Sequence, residues 1–412
     1  MRKALAIIAA LLLCVFNLLA QQDSIQARII IIGDAGSFKQ DANGKNWHPV
    51  VDAVRKTIPL DDKTTILYVG DNLYYTGLPD DAMRTYDVRR EVLDSQINIA
   101  KDSKAKVYFI PGNHDWNKMQ PGGWEAIKRE QQYIDKAGAG KNVQFYPKDG
   151  CPGPVEVDVN DQVVMILMDS QWWLQLYEKP GIESDCGAKT KEEVVSQIDD
   201  IISHNSSKLI LFACHHPFKS YGIHGGYYTW KQHIFPITDV KPNLYIPLPL
   251  IGSIYPITRS VFGTTQDIPH PEYQNMITAI QSVLKKYSNV IYIAGHEHNL
   301  QLIKDSSSYY VISGAGTNKT RVSHNSKHVL YSKQQYGFAV LNVSKNKYVN
   351  FNYYTVYGDS VVHAYDSTLV SFKELKKESV DTTKSVAVAP FKDNTIAMVY
   401  PHYDSEIGRA HV

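Results

Sequence analysis

Residues 106–115 read KVYFIPGNHD, a run of strand-forming side chains that passes directly into small and polar ones. The apolar part, Val107–Ile110, has the β-branched and aromatic composition of a buried strand. The strand would end in Asn113, His114 and Asp115, whose side chains can bind a metal or a phosphate. A single strand end of this kind is weak evidence for a site, because polar side chains often follow a strand simply to form a turn.

The same unit recurs four more times along the chain, each time as an apolar run followed by small, acidic or histidine residues. Helix-like stretches lie between these runs, at 80–100, 191–204 and 272–286. Alternating strands and helices predict an α/β fold whose ligand site forms beyond the carboxyl ends of the strands. The further units are Ala27–Ile32 before Gly33-Asp34, Thr65–Val69 before Gly70-Asp71, Leu209–Ala213 before His215-His216, and Val290–Ala294 before Gly295-His296-Glu297-His298.

Together the five strand ends hold the donors that a two-metal hydrolytic site needs, namely carboxylates, imidazoles and an amide oxygen. His296 and His298 are two residues apart, so on an extended segment both rings project to one side and can bind neighbouring metals. Glu297 then points the other way and is expected to be structural. The predicted donors are Asp34, Asp71, Asn113, His215, His296 and His298.

The composition is that of an ordinary globular chain of 412 residues, 43% hydrophobic and 21% charged, with a formal net charge of +1. No global field therefore favours nucleic acid or an anionic membrane. Arg2 and Lys3 precede an apolar run over 4–20 and then polar residues, which is the layout of a cleavable signal peptide at 1–20. A retained membrane anchor is the alternative. Cleavage predicts export to the periplasm or the cell exterior, without a membrane span in the mature chain.

Three cysteines remain after cleavage, because Cys14 leaves with the signal peptide. Cys151 and Cys186 lie in loop-like surroundings, and either form a disulfide in an oxidising compartment or stay as two thiols. Cys214 ends an apolar run and is expected to be buried.

Two regions depart from the alternating pattern. The segment 227–273 is rich in Pro, Tyr and Ile, and is either a lid or docking surface beside the site or a hydrophobic hairpin packed on the core. Beyond a catalytic domain expected over 25–360, residues 361–406 are predicted to be a linker and the start of a further domain. Residues 407–412 match a common sequencing-adapter oligonucleotide in frame, which predicts a non-native tail; a short natural tail is the alternative.

The ordered motifs resemble those of the calcineurin-like metallophosphoesterases. The tyrosine three residues after Asp71 narrows the resemblance to the purple acid phosphatases. The resemblance covers about residues 27–357 and implies a four-layer α/β/β/α sandwich with a metal site at the carboxyl ends of the strands. The matching motifs are Asp34-Ala35-Gly36, Gly70-Asp71-Asn72-Leu73-Tyr74, Gly112-Asn113-His114-Asp115, His215 and Gly295-His296-Glu297-His298.

The resemblance also implies roles for individual residues. His114 would contact the substrate phosphate and His224 the leaving group, so both are candidate catalytic residues. Cys214 and His216 flank His215 where family members often have other residues, which leaves His216 as a rival ligand. The implied metal ligands are Asp34, Tyr74 and His298 for Fe(III), Asp71 as the bridge, and Asn113, His215 and His296 for Fe(II), Zn(II) or Mn(II).

The implied activity is hydrolysis of small phosphate monoesters at acidic pH, with metal-activated hydroxide as the nucleophile. Two alternatives remain open at this point. One is a phosphodiesterase or a nucleotide or pyrophosphate hydrolase that uses the same site. The other is a non-catalytic module of the cell envelope that retains the fold.

Overall fold

The computed structural model describes residues 25–371, except 41–43, 240, 242 and 346–347. The expected signal peptide, most of the expected linker and the expected tail at 407–412 lie outside the described residues. The strands are β1 Ile25–Ile32, β2 Lys39–Gln40, β3 Asn46–Trp47, β4 Thr64–Val69, β5 Lys106–Ile110, β6 Val143–Phe145, β7 Val155–Asn160, β8 Val163–Leu167, β9 Leu209–Ala213, β10 Val290–Ala294, β11 Leu300–Asp305, β12 Ser308–Ser313, β13 Val329–Lys333, β14 Gly337–Ser344, β15 Tyr348–Tyr357 and β16 Ser360–Ser371.

The helices lie between the strands of each half of the chain. The α-helices are α1 Pro49–Thr57, α2 Tyr86–Ile97, α3 Gly123–Ala137, α4 Ser170–Leu174, α5 Lys191–His204, α6 Trp230–Ile234, α7 Ile254–Val261 and α8 Pro271–Leu284. Short 3₁₀ turns lie at Asn98–Ala100, Asn117–Met119, Lys148–Gly150, Pro236–Asp239 and Ile251–Ser253.

Two seven-stranded mixed sheets form the centre of the fold. The first has the strand order β16-β15-β14-β1-β4-β5-β6, and the second has the order β13-β11-β12-β10-β9-β8-β7. Strands β1, β4, β5 and β6 run parallel, as do β8, β9, β10 and β12. The carboxyl ends of the neighbours β1, β4 and β5 therefore lie at one edge of the first sheet, and those of β9 and β10 lie at one edge of the second.

Alternate side chains of the central strands enter two separate cores. In β1, Ile29 and Ile31 pack in the cluster between the two sheets, whereas Ile30 and Ile32 pack in the cluster that the helices cover. Because a strand points successive side chains to opposite faces, a strand buried on both faces has to be apolar throughout. The IIII run of β1 meets this requirement, and the result is the predicted four-layer α/β/β/α sandwich.

The described part of the segment 227–273 consists of short helices and loops and contains no strand, so its interpretation as a hydrophobic hairpin is wrong. It contains α6, α7, two 3₁₀ turns and the first residues of α8. Its short helices leave large apolar side chains in solvent, with Trp230 72% and Leu250 89% exposed. The proline residues that interrupt the segment explain the difference, since proline cannot donate a ladder hydrogen bond inside a sheet.

The outer parts of the fold bear on two further expectations. Cys151 and Cys186 form a disulfide, and Cys214 is a buried free thiol. Strand β16 pairs with β15 along most of its length, so the sheet extends beyond the boundary expected at residue 360. Among the described residues, none of the helices has both the length and the apolar character that crossing a bilayer requires.

Candidate metal centre

The predicted donors follow directly after the central strands of the two sheets. Asp34 and Asp71 lie beyond β1 and β4, and Asn113 lies beyond β5. His215 and His296 lie beyond β9 and β10 of the facing sheet. The interface between the sheets thus brings together side chains that are far apart in sequence, such as Asp34 and His296, which are separated by 262 residues.

One group of donors surrounds Asp34. The Tyr74 hydroxyl donates to Asp34 Oδ1 at 2.9 Å and lies 3.0 Å from His298 Nε2. His298 Nε2 lies 3.3 Å from Asp34 Oδ1. One donor atom from each of Asp34, Asp71 and His298 lies within 4.8 Å of the others. Two carboxylates, an imidazole and a phenol therefore face one small volume, and hard oxygen donors of this kind suit Fe(III).

A second group of donors surrounds Asn113. Its Oδ1 lies 3.1 Å from His215 Nε2 and 3.2 Å from His296 Nδ1. Those two nitrogens are 3.2 Å apart. His215 Nε2 also lies 3.4 Å from Asp71 Oδ1, so Asp71 belongs to both groups. All seven residues that the sequence analysis proposed as ligands lie together in this cluster.

The tautomers of His215 and His296 leave lone pairs that face each other. His215 Nδ1 donates to the Val69 carbonyl at 2.8 Å, and His296 Nε2 donates to the Gln266 carbonyl at 2.8 Å. A carbonyl oxygen only accepts, so the remaining nitrogens, His215 Nε2 and His296 Nδ1, carry lone pairs in the neutral rings. Two lone pairs directed at each other and at an amide oxygen fit a shared cation.

The charge of the cluster also fits a metal. Asp34 and Asp71 are 0% and 1% exposed, and among the described residues only histidines form ion pairs with them. Burial lowers the pKa of His298 to about 4 and that of His296 well below its ordinary value, so these rings are neutral at pH 7. Burial also raises the pKa of Asp34. The pKa of Tyr74 is raised by burial and by the nearby charges of Asp34 and Asp71. Buried acids without a compensating cation are costly, and a bound metal would reverse these shifts.

The loops that carry the ligands are fixed by Asp115, a buried carboxylate of the third motif. It accepts hydrogen bonds from the backbone N–H groups of Gly112, Asn72 and Leu73, at 2.7, 3.1 and 3.0 Å. The first of these lies in the loop of Asn113, and the other two follow Asp71. Asp115 therefore holds two ligand-bearing loops in one arrangement, which is a positioning role and not ligation.

The two candidate catalytic histidines lie on different sides of the cluster. The His114 backbone N–H donates to Asp71 Oδ1 at 2.9 Å, and its ring Nδ1 lies 2.6 Å from the Tyr75 carbonyl. The His224 ring packs against the His296 ring, with centroids 4.1 Å apart. Both rings keep part of their surface in solvent, 14% for the His114 side chain and 22% for that of His224, as contact with a substrate requires.

The rival ligand His216 makes its hydrogen bonds outside the donor cluster. Its Nδ1 lies 2.8 Å from the Ser170 hydroxyl and its Nε2 lies 2.9 Å from Gln266 Oε1, so both nitrogens have other partners. Glu297 points away from the cluster, as expected, and accepts from the Ser220 hydroxyl at 2.6 Å and the Gly225 N–H at 3.1 Å. It thereby fixes the loop that carries His224.

The sequence analysis missed the residues that support the site from the segment 227–273. Gln266 contacts His296 and His216, as described above, and Asp267 Oδ1 lies 2.8 Å from His224 Nδ1. No motif marks these positions. These contacts agree with the first interpretation of the segment 227–273, namely a structure that lies beside the site.

The solved structures that resemble the fold include three of known description. Plasmodium GAP50, described as the anchor in the inner membrane complex, gives a TM-score of 0.51 at 16% identity, over 84% of this chain and 89% of its own. The purple acid phosphatase PPD1 of yellow lupin seeds gives 0.48 at 13% identity, over 83% of this chain and 53% of its own. PhoD gives 0.49 at 10% identity, over 84% of this chain and 68% of its own. At 16% identity, the likeness to GAP50 shows a shared fold and nothing about function.

Comparison with curated protein sequences finds no match. A family profile described as calcineurin-like phosphoesterase matches residues 27–300. That range is more than half of the chain and contains every strand-end motif, from Asp34 to His298. The chain belongs to the calcineurin-like phosphoesterase family.

Proposed function

We propose that this protein is an exported acid phosphatase that hydrolyses small phosphate monoesters with a dinuclear Fe(III)–M(II) centre of the purple acid phosphatase type. The observation that carries the proposal is the position of the Tyr74 hydroxyl, 2.9 Å from Asp34 Oδ1 and 3.0 Å from His298 Nε2. Burial and the neighbouring carboxylates raise the pKa of this phenol, so only a strong cation would favour the phenolate. A phenol in these surroundings therefore fits a ferric ligand.

The proposed ligands divide the cluster into two metal positions. Bound metals would supply charge neutralisation for the phosphate oxygens and an activated water. Asp71 would serve both positions, and His114 would contact the phosphate from the side of Tyr75. Asp34, Tyr74 and His298 would hold Fe(III), and Asn113, His215 and His296 would hold Fe(II), Zn(II) or Mn(II).

Export is part of the proposal. The Cys151–Cys186 disulfide supports it, because disulfides persist mainly in oxidising compartments. The proposed location is the periplasm or the cell exterior, with association to the envelope if the native chain is longer.

A visible spectrum of aerobically purified protein tests the ferric assignment. Tyr74→Phe should keep the fold and lose a tyrosinate absorption band. Tyr75→Phe is the matched control, because Tyr75 is 70% exposed and lies outside the proposed ligand set. Equal colour in all three proteins, or in none, contradicts the purple acid phosphatase assignment.

Activity on a panel of esters tests the substrate class. Monoesters should be hydrolysed fastest and with an acidic optimum. Comparable turnover of diesters, nucleotides or pyrophosphate would favour the alternative hydrolase, and a rate that rises steadily into the alkaline range with iron bound would contradict the acid phosphatase.

A non-catalytic envelope module is the second candidate, because GAP50, which shares the fold, is described as an anchor. Elemental analysis separates the two functions. About two metals per chain support the enzyme, whereas a protein that stays metal-free and colourless after reconstitution with iron supports the module.

A further inference from the structure

Asp267 is a fully buried carboxylate that lies outside every metal-binding motif. Its Oδ1 accepts from His224 Nδ1 at 2.8 Å and from Arg259 Nη2 at 2.8 Å. Its Oδ2 accepts from Arg259 Nε at 3.0 Å and from the backbone N–H and hydroxyl of Thr264, at 2.8 and 2.9 Å. The side chain is 0% exposed, and every oxygen has at least two donors. Asp267 is therefore held rigidly, with one oxygen directed at His224.

The contact with Asp267 determines which nitrogen of His224 can meet a substrate. Nδ1 donates to the carboxylate, which leaves Nε2 for other partners. The ring packs on His296, with centroids 4.1 Å apart, and the His224 carbonyl accepts from the Ile268 N–H at 2.8 Å. Ring and backbone are thus both fixed by the segment that follows α7.

We propose that Asp267 is a positioning residue that orients His224 for proton donation to the leaving group, with Arg259 holding Asp267 in place. This inference rests on the proposed phosphatase function. A carboxylate at Nδ1 selects the ring orientation and stabilises the imidazolium that must carry the donated proton. Arg259 lies on α7, so the contacts from Arg259 to Asp267 and from Asp267 to His224 link this helix to the proposed proton donor.

The proton transfer balances without any additional reactant. Water supplies the oxygen that forms the new bond to phosphorus, and the bond between phosphorus and the ester oxygen breaks. His224 Nε2 gives its proton to the departing alkoxide, which leaves as an alcohol. The proton that water loses replaces the one taken from His224, directly or through solvent.

The charge of Asp267 agrees with this role. Burial works to raise the pKa of Asp267, and hydrogen bonds from His224 and Arg259 outweigh it and lower the pKa. Asp267 therefore stays ionised beside the ring.

A second ion pair, between Asp239 of the segment 227–273 and Arg321 of the loop that follows β12, provides a matched control. Arg321 Nη1 and Nη2 donate to the two oxygens of Asp239 at 2.5 and 3.1 Å. The Asp239 side chain is 9% exposed, and this pair has no contact with His224 or with the proposed ligands in the described structure. If Asp267 only anchored the segment, then Asp239→Asn and Asp267→Asn would have similar effects.

The test compares Asp267→Asn with Asp239→Asn in the metal-loaded full chain, on p-nitrophenyl phosphate and on glycerol phosphate. An alkoxide is a poor leaving group and needs the proton, whereas p-nitrophenolate does not. In Asp267→Asn, kcat for glycerol phosphate should fall about 10²-fold, with a change of only a few-fold for the aryl ester. Asp239→Asn should match the wild type on both substrates. Equal losses on both esters in Asp267→Asn, or no loss on either, overturn the proposal.

An NMR measurement tests the contact independently of activity. In histidine-¹⁵N-labelled protein at fixed pH, His224 should show a hydrogen-bonded Nδ1 proton that is lost in Asp267→Asn and kept in Asp239→Asn. Its absence from the wild type overturns the inference. If this proton is present but the metal-loaded wild type hydrolyses neither ester, the proposed function fails while the contact between Asp267 and His224 is supported.

Discussion

Replacing Gly112 by alanine tests whether the metal centre depends on the close approach of two loops. A Cβ at position 112 would lie 2.3 Å from the Asp71 backbone nitrogen, 2.4 Å from Asp71 Oδ1 and 2.9 Å from His215 Cε1. Ordinary contact begins at 3.4 Å, so one of the two loops must move by about 1 Å. Either movement displaces a donor, because one loop carries Asp71, which both donor groups share, and the other carries Asn113.

The size of the effect follows from this displacement. Overpacking typically costs about 1–3 kcal/mol of unfolding free energy, and a misplacement of about 1 Å at a reacting centre can cost about 10²-fold in rate. Backbone atoms are the first obstacle, so the strain cannot be relieved by rotating a side chain. We expect Gly112→Ala to lose affinity for at least one metal and about 10²-fold in kcat.

The assay combines metal content, melting temperature and turnover of p-nitrophenyl phosphate. Gly181→Ala is the control, because no atom lies within 4 Å of its added Cβ, and it should match the wild type in all three measurements. A Gly112→Ala protein with two metals per chain and wild-type kcat would refute the reasoning.

Two further predictions concern stability. Glu130 is buried, which raises its pKa to about 8 from an ordinary 4.5. As pH rises between these two values, the unfolded chain has lost the proton and the folded chain still holds it. The unfolding free energy of the metal-free protein should therefore fall over this pH range. Glu130→Gln should weaken that fall, and unchanged pH dependence of its melting temperature would contradict the assignment. Replacing Cys151 and Cys186 by serine removes a link across 35 residues and should cost about 4 kcal/mol of unfolding free energy. A reducing agent should then lower the melting temperature of the wild type but not of the double variant, and equal sensitivity of both would count against the bond.

The sequence predicted the strand ends and their donors well because the decisive signals are local. An apolar run followed by Gly-Asp or Gly-His requires no knowledge of distant contacts. The helix expected over 191–204 has those bounds in the structure, since the Thr190 hydroxyl accepts from the Glu193 N–H at 3.2 Å and caps it. The helix expected from residue 80 begins only at Tyr86, because Asp80 Oδ1 accepts from the Ala82 N–H and forms a turn instead.

The supporting residues could not be predicted in the same way. Gln266 and Asp267 reach the site only through the path of the segment 227–273, and that path depends on tertiary contacts. One signal was present, because Arg259 and Asp267 are eight residues apart in a stretch with few other charges. A buried ion pair in an apolar segment is a reason to search for a third partner, which here is His224.

The backbone at the strand ends shows why aspartate and histidine, and not only glycine, follow these strands. Asp34, Asp71 and His296 have φ values of 58°, 53° and 66°, in the left-handed region that costs a non-glycine residue about 1 kcal/mol or more. Glycine would remove that cost but would also remove the donor. Hydrogen bonds hold the strained turns, since the Asp34 N–H donates to the Gly70 carbonyl at 3.0 Å and the His296 N–H donates to Asp34 Oδ2 at 2.8 Å. The cost recurs at three donors of one cluster, which argues that the sharp turns serve ligand placement and not chain reversal alone.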